Sequence, residues 1–441
     1  MSRRDAVNGG VGSRPPPTVF SNECWLHSLA GVLRRPVSWI LLLLVAAVVL
    51  LLWLGPWRSH SREYWIKAEE DLWNYSPSYP INRMTAAPFG EKELVFLKPG
   101  PDRIGRIYRK AVFRSYGPNF DTLLDGPQLS GQKVGDRVRV RSPGSREEHL
   151  GALGPILRAE VGDTIVVHFR NETRFPLSLH PHGVAYDKAN EGSGYADGSM
   201  GSLGTNGSHP HHGGGGSGNA VPPSGSYTYR WQVPPRSGPG PADPDSIAWP
   251  YHSHVNEVGD TSAGLVGAIV IHRRGSLDER RQLPKGVDRE FVNLFTVTDE
   301  NKSLYLETNM REFLGTSTTP VNPDDEEFVE SNLMHGINGF VYGDLPGLTM
   351  AEGEHVRWHV MSMGTEIDIH TPHWHGATLL ENGRRLDTTE VFPASSRTLD
   401  MTPDRPGMWM LHCHVNDHME AGMHAMFTVL PNRNSSFASS R

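Results

Sequence analysis

Between Val37 and Leu54 the chain carries no charged residue, and Ile40 to Leu52 is wholly aliphatic. Pro36 and Pro56 bracket this run, with Trp39, Trp53 and Trp57 where interfacial aromatics belong. A helix of this length matches a hydrocarbon core about 30 Å thick. Beyond it the pattern changes to short runs, such as Leu157 to Phe169 and Met426 to Leu430, in which apolar and polar positions alternate between Gly and Pro. A period of two with frequent turn residues predicts short strands, and many of them predict β-sandwiches. The chain therefore reads as one N-terminal transmembrane helix followed by an all-β body.

The β body repeats itself. Leu157-Arg158-Ala159-Glu160-Val161-Gly162-Asp163 leads into His180-Pro181-His182-Gly183, and Leu348-Thr349-Met350-Ala351-Glu352-Gly353-Glu354 leads into His373-Trp374-His375-Gly376. Trp249-Pro250-Tyr251-His252-Ser253-His254-Val255-Asn256 parallels Trp409-Met410-Leu411-His412-Cys413-His414-Val415-Asn416. A repeat this long indicates duplicated domains rather than a solenoid. It places domain 1 over 62–275 and domain 2 over 284–432, joined by Arg273 to Lys285, with a tail at 433–441. His182 and His252 lie 70 positions apart, whereas His375 and His412 lie 37 apart. Most of the excess falls in 192–226, a Gly/Ser-rich stretch that reads as a flexible surface insertion. Its His209, His211 and His212 read as either a solvated loop or accessory metal donors.

Charge narrows the partners. Among 441 residues, 42 Lys+Arg stand against 49 Asp+Glu, a net of −7, which excludes the basic footprint of a nucleic-acid binder. Arg3, Arg4, Arg14, Arg34 and Arg35 precede the apolar run, and only Arg58 and Arg62 closely follow it. The positive-inside rule then makes 1–36 a cytosolic tail and 37–57 a signal anchor, with the β body extracellular or lumenal. A cleaved signal peptide is the alternative, Ser59 and Ser61 offering small residues for the cut. Sequons at Asn74, Asn171, Asn206, Asn301 and Asn434 all follow the span. The two cysteines, Cys24 and Cys413, fall on opposite sides of the membrane and cannot pair.

Histidine carries the chemistry. In a strand, residues two apart share a face, so the pairs His180/His182, His252/His254, His373/His375 and His412/His414 each point one way. Eight imidazoles at duplicated positions can surround several metal ions. Cys413 faces the opposite side, with His418 and Met423 shortly after it and His370 just before the His373/His375 pair. One thiolate, two imidazoles and a thioether make a blue-copper electron-transfer set. At the matching positions domain 1 has Leu177, Ser253 and Val258, so it lacks that site. An inert buried thiol is the bland reading of Cys413.

The segments His370-Thr371-Pro372-His373-Trp374-His375-Gly376 and His412-Cys413-His414-Val415-Asn416-Asp417-His418-Met419-Glu420-Ala421-Gly422-Met423 resemble multicopper oxidase signatures. Within that family the chain is most similar to the ceruloplasmin–hephaestin branch, over roughly 62–432. The resemblance implies two cupredoxin-like, Greek-key β-sandwich domains and four coppers per chain. It implies type 1 copper on His370, Cys413, His418 and Met423, and type 2 copper on His180 and His373. It implies a type 3 pair on His182, His252, His254, His375, His412 and His414. With two domains instead of six, the size resembles two-domain members whose three-copper cluster forms between subunits. The implied assembly is a homotrimer, with a self-closing monomer as the alternative.

By position, Glu330, His335 and Asp417 match the iron-binding residues of that branch, which implies a ferroxidase passing electrons from Fe(II) to O₂. Asp324 to Glu327 would then be an exit path for Fe(III), or simply a solvated acidic loop. The rival expectations are a laccase-like oxidase of phenols, amines or Cu(I), and a non-catalytic copper-binding cupredoxin protein. Neither the permease or acceptor that takes Fe(III) nor the proton donors is legible, although Glu257 and Asp260 lie close to His254.

Overall fold

The structure is a computed structural model, and it describes residues 40–46, 59–124, 127–130, 138–141, 145–195, 218–314 and 321–432. Residues 40–46 are helical with exposed apolar side chains. Among the described residues no helix is long and apolar enough to cross a membrane. Most of the span predicted over 37–57 lies outside them, as do Cys24, Asn206, His209, His211, His212, Asn434 and the 433–441 tail.

Ser59 onward forms one compact, mostly-β unit. Its first half has strands β1 (Ser61–Asn74), β2 (Ile107–Tyr116), β3 (Ile156–Glu160), β4 (Thr164–Asn171), β5 (His180–Pro181), β6 (Ser226–Gln232), β7 (Ser246–His252) and β8 (Val266–His272). They pair in two sheets, β6-β4-β1-β2 and β3-β8-β7-β5. The second half has β9 (Arg289–Asp299), β10 (Leu333–Ile337), β11 (Thr349–Ala351), β12 (Val356–Ser362), β13 (Pro372–Trp374), β14 (Leu379–Glu381), β15 (Arg384–Leu386), β16 (Ser396–Met401), β17 (Gly407–Cys413) and β18 (His424–Leu430). Their sheets run β10-β9-β12-β16-β14-β15 and β11-β18-β17-β13. β1–β4 and β9–β12 are parallel, as are β3–β8 and β11–β18, and the other neighbours in these sheets are antiparallel. The duplication seen in sequence is thus a duplication of topology.

Alternation assigns each residue to a layer. Ile269 and Ile271 of β8 join Ile66, Phe113 and Tyr251 in the first sandwich core. Their neighbours Ala268 and Val270 instead pack with Val292, Leu294 and Met361 in an apolar layer between the halves. Phe291, Phe295, Trp358, Leu411 and Phe427 form the second sandwich core. The middle sheets are buried on both faces, which is why β8 and β12 lack exposed positions.

Polar contacts stitch the same seam. Glu290 receives Arg158 from the first half and His359 Nε2 (3.1 Å). Burial opposes its charge, but Arg158 and His359 more than offset this and hold its carboxyl well below the usual range. Asn338 donates to the carbonyls of His149 (2.6 Å) and Val292 (2.8 Å) and accepts from Leu294 N (2.6 Å). This one amide pins a first-half loop to β9. At the Asn171 sequon the side-chain amide is buried and donates to the Phe175 and Val221 carbonyls.

Asn338→Ala should destabilise the protein by about 2–4 kcal/mol in denaturant unfolding, because three buried hydrogen bonds are lost. A second prediction concerns His272, which is buried beside Glu290 with neither ring nitrogen bonded among the described residues. Burial, outweighing Glu290, lowers its pKa from 6.5 to about 3. Between those values the unfolded chain takes up a proton that the folded chain refuses, so stability falls as pH falls from 6.5 to about 3. His272→Leu should flatten this limb of the pH–stability curve.

Candidate metal centres

On β17 successive side chains turn to opposite faces. Leu411 and Cys413 are buried in the second core, while His412 faces His375 on the outer side. β13, paired in register as Pro372↔Cys413 and His373↔His412, buries Trp374 and turns His373 outward.

Two histidine sets result. In the first, His182 Nε2 and His252 Nε2 lie 3.1 Å apart, with His180 and His254 rings 5.1 to 5.5 Å from neighbours in the set. In the second, His375 Nε2 and His412 Nε2 are also 3.1 Å apart, with His373 and His414 alongside. Backbone carbonyls orient the rings. His180 Nδ1 donates to Glu191 (2.7 Å), His252 Nδ1 to Ser253 (3.0 Å), His373 Nδ1 to Asp387 (3.0 Å) and His412 Nδ1 to Cys413 (2.8 Å). Each bond puts the proton on Nδ1 and leaves Nε2 free as a ligand atom. Burial, helped by neighbouring imidazoles, holds His182 and His252 down to about 4. They are neutral near pH 7, as ligation requires.

The glycine after each leading pair is obligatory. Gly183 has φ +74° and Gly376 φ +66°, and an added Cβ would lie 2.3 Å from the Trp249 ring or 2.6 Å from the Trp409 ring. The same tryptophan–glycine contact seats the histidine pair in both halves.

Inside the second sandwich, Cys413 Sγ lies 3.8 Å from His370 Nδ1 and 3.7 Å from His418 Nδ1, and the two nitrogens are 3.1 Å apart. Burial raises the thiol pKa, but His370, His418 and backbone N–H groups more than offset this and bring it to about 6. Met423 is fully buried, and its carbonyl accepts from Cys413 N (3.0 Å). A buried, easily ionised thiol facing two imidazole lone pairs fits copper: soft sulfur and imidazole are its preferred donors.

The first half fills the equivalent place differently. Ser253, matching Cys413, donates to Asp260 Oδ2 (2.6 Å), which also accepts from Val255 N and Asn256 N. Burial raises the Asp260 pKa to about 6. Leu177 is buried and Val258 is 45% exposed, and neither offers a metal-ligand atom. Asp260 pins the His252–His254 turn, a role its sequence position near His254 did not disclose.

Of the expected iron residues, His335 is buried with its ring 5.4 Å from that of His418. Glu330 is exposed near the end of the helix Glu326–Ser331, and Asp417 is exposed in the helix Asn416–Glu420. These three do not form such a group, whereas His180/His182/His252, His370/Cys413/His418 and His373/His375/His412 each bring their ligand atoms within 4.8 Å of one another.

Models of the multicopper oxidase family match residues 151–212 and 316–433. The chain is 40% identical over 379 residues to Ferroxidase HEPHL1 of Mus musculus, covering 85% of this chain and 30% of that protein. It is 38% identical to hephaestin of Mus musculus (89% and 31%) and 40% identical to ceruloplasmin of Homo sapiens (84% and 33%). It thus spans about a third of the length of these curated relatives.

In copper-loaded protein, Cys413→Ser should abolish the thiolate-to-copper absorption band and remove one copper equivalent. The two histidine sets should keep theirs; a metal assay with the visible spectrum checks both.

Proposed function

We propose, from the premise that the chain belongs to the multicopper oxidase family, that it is a membrane-anchored ferroxidase oxidising Fe(II) with O₂ as acceptor. The observation that carries this reading is the His412-Cys413-His414 run, whose adjacent residues serve two sites on opposite faces of one sheet. Copper bound at these sites supplies single-electron uptake at the thiolate and four-electron reduction of O₂ to water at the histidines.

In this reading His370, Cys413, His418 and Met423 hold type 1 copper, and His180 and His373 hold type 2 copper. His182, His252, His254, His375, His412 and His414 hold the type 3 pair, making four coppers per chain. Fe(II) is received by Glu330, His335 and Asp417, whose carboxylates favour the ferric product. His335 packs on the ligand His418, and Asp417 directly precedes it, so an electron leaving iron has a short path inward. The carboxylates must swing towards His335 to hold the ion. Substrate binding, not the resting fold, then completes that site.

Each histidine set supplies half a cluster, and among the described residues no hydrogen bond or ring contact joins the two. A cleft of about 790 Å³ lies beside the second set, between His373, His375, Arg385, Asp387 and Trp409. The first set of another copy entering that cleft completes the cluster, and a head-to-tail contact of this kind closes as a homotrimer. The domains are 62–275 and 284–432, the anchor is 37–57, and the β body is extracellular or lumenal, where Fe(III) passes to a permease or other acceptor.

The copper-loaded protein should consume one O₂ per four Fe(II) without releasing peroxide, and Cys413→Ser should consume none. Glu330→Ala/Asp417→Ala should slow Fe(II) turnover while copper content holds; unchanged turnover would refute the iron site. Mixing His182→Ala with His375→Ala chains should restore activity that neither has alone, since some interfaces in mixed rings are intact. Absence of rescue in verified mixed trimers would favour a cluster closed within one chain.

A further inference from the structure

Behind the type 1 ligand His370 lies a carboxylate that neither half-cluster nor iron site employs. Asp368 is 1% exposed. Its Oδ1 lies 3.2 Å from His370 Nε2 and accepts from Val297 N at 2.7 Å, and its Oδ2 accepts from Thr365 N at 2.8 Å. The Asp368 carbonyl accepts from Ser362 Oγ (2.9 Å), so the residue is clamped at backbone and side chain alike. Two backbone N–H groups already converge on the carboxyl oxygens. His370 turns Nδ1 towards Cys413 and His418, which leaves Nε2 to carry the ring proton and donate to Oδ1. Three donors thus converge on the Asp368 carboxyl oxygens, which act as acceptors.

The duplication provides an internal comparison. His370 corresponds to Leu177, and two residues earlier Asp368 corresponds to Phe175, which packs on the first sandwich core. The buried carboxylate occurs only in the half that has the cysteine. A fold requirement common to both sandwiches would have kept it in both.

We propose that Asp368 is a positioning residue that lowers the reduction potential of the type 1 site through His370. This inference rests on the copper reading of Cys413 given above. The hydrogen bond fixes the His370 tautomer and ring plane and makes Nδ1 a stronger donor. A stronger imidazole donor stabilises Cu(II) more than Cu(I). The couple is Cu(II) plus one electron, supplied by Fe(II), giving Cu(I). Asp368 accepts hydrogen bonds in both states, so no proton moves with the electron. A lowered potential gives up some driving force for taking electrons from iron and adds driving force for passing them on to the histidine cluster.

The test is a redox titration of the visible band in the copper-loaded protein, comparing wild type with Asp368→Asn and Asp368→Ala. Losing such a second partner weakens metal binding about ten- to hundredfold. Confined to Cu(II), that is a rise in potential of about 60–120 mV, at 59 mV per tenfold for one electron. Variants that keep the band with an unchanged potential would overturn the proposal. Should both variants fail to fold, ¹⁵N-histidine NMR of the Cu(I) wild type decides. A His370 Nε2–H that is shifted downfield and slow to exchange supports the bond, and an Nε2 without a proton overturns it. A wild type that takes up copper without developing the band would remove the copper reading and this inference together.

Discussion

The two-residue period of one strand governs this molecule. Because β17 turns Cys413 into a sandwich core and His412 onto the outer sheet face, one short peptide serves a buried site and an open one. No loop-built pair of sites would share so short a covalent link. A one-residue slip in the pairing with β13 would exchange the faces and destroy both. The register is correspondingly over-determined: Cys413 N bonds Met423 O, His414 N bonds Thr371 O, and Trp409 closes on Gly376.

What was legible in the chain followed that period. The four His-x-His pairs, the lone cysteine facing away from them and the empty equivalent in the first half all derive from alternation and duplication, which need only local spacing. What was hidden depends on contacts distant in sequence. The carbonyls of Glu191 and Asp387 that set the tautomers of His180 and His373 come from loops without any motif, since any residue supplies a carbonyl. Asp260 was legible as an acid near His254, yet its work is to hold Ser253 and two backbone N–H groups, something only the folded turn shows. The iron trio shows the opposite limit. Positional likeness selected Glu330, His335 and Asp417, but only His335 is packed against a copper-type ligand, because the other two sit on exposed helix turns.

The two sandwiches are bound across a seam that is apolar at Ala268, Val270, Val292 and Leu294 and polar around Glu290, Arg158 and His359. Such a buried ionic group adds little net stability compared with an apolar substitute, but breaking it is costly. Its value lies in orientation: charge partners tolerate only one relative placement of the halves. Each histidine set is therefore presented in a fixed direction from a single rigid unit. That rigidity is what a shared cluster between copies would need, since each contact in a closed ring must repeat the same angle.

Duplication with divergence also gives the two halves different buried carboxylates beside equivalent positions. Where the second half has Cys413, His370 and Asp368, the first has Ser253, Leu177 and Phe175. The substitutions are mutually consistent. With Leu177 in the place of His370, a carboxylate at 175 would have no imidazole partner. Phe175 instead packs edge-on against Tyr305, with ring centroids 5.2 Å apart. Beside Ser253 the first half buries Asp260, whose Oδ2 accepts from the Ser253 hydroxyl and from Val255 N and Asn256 N. Asp260 holds the strand end that carries His252 and His254, whereas Asp368 bonds the His370 ring directly.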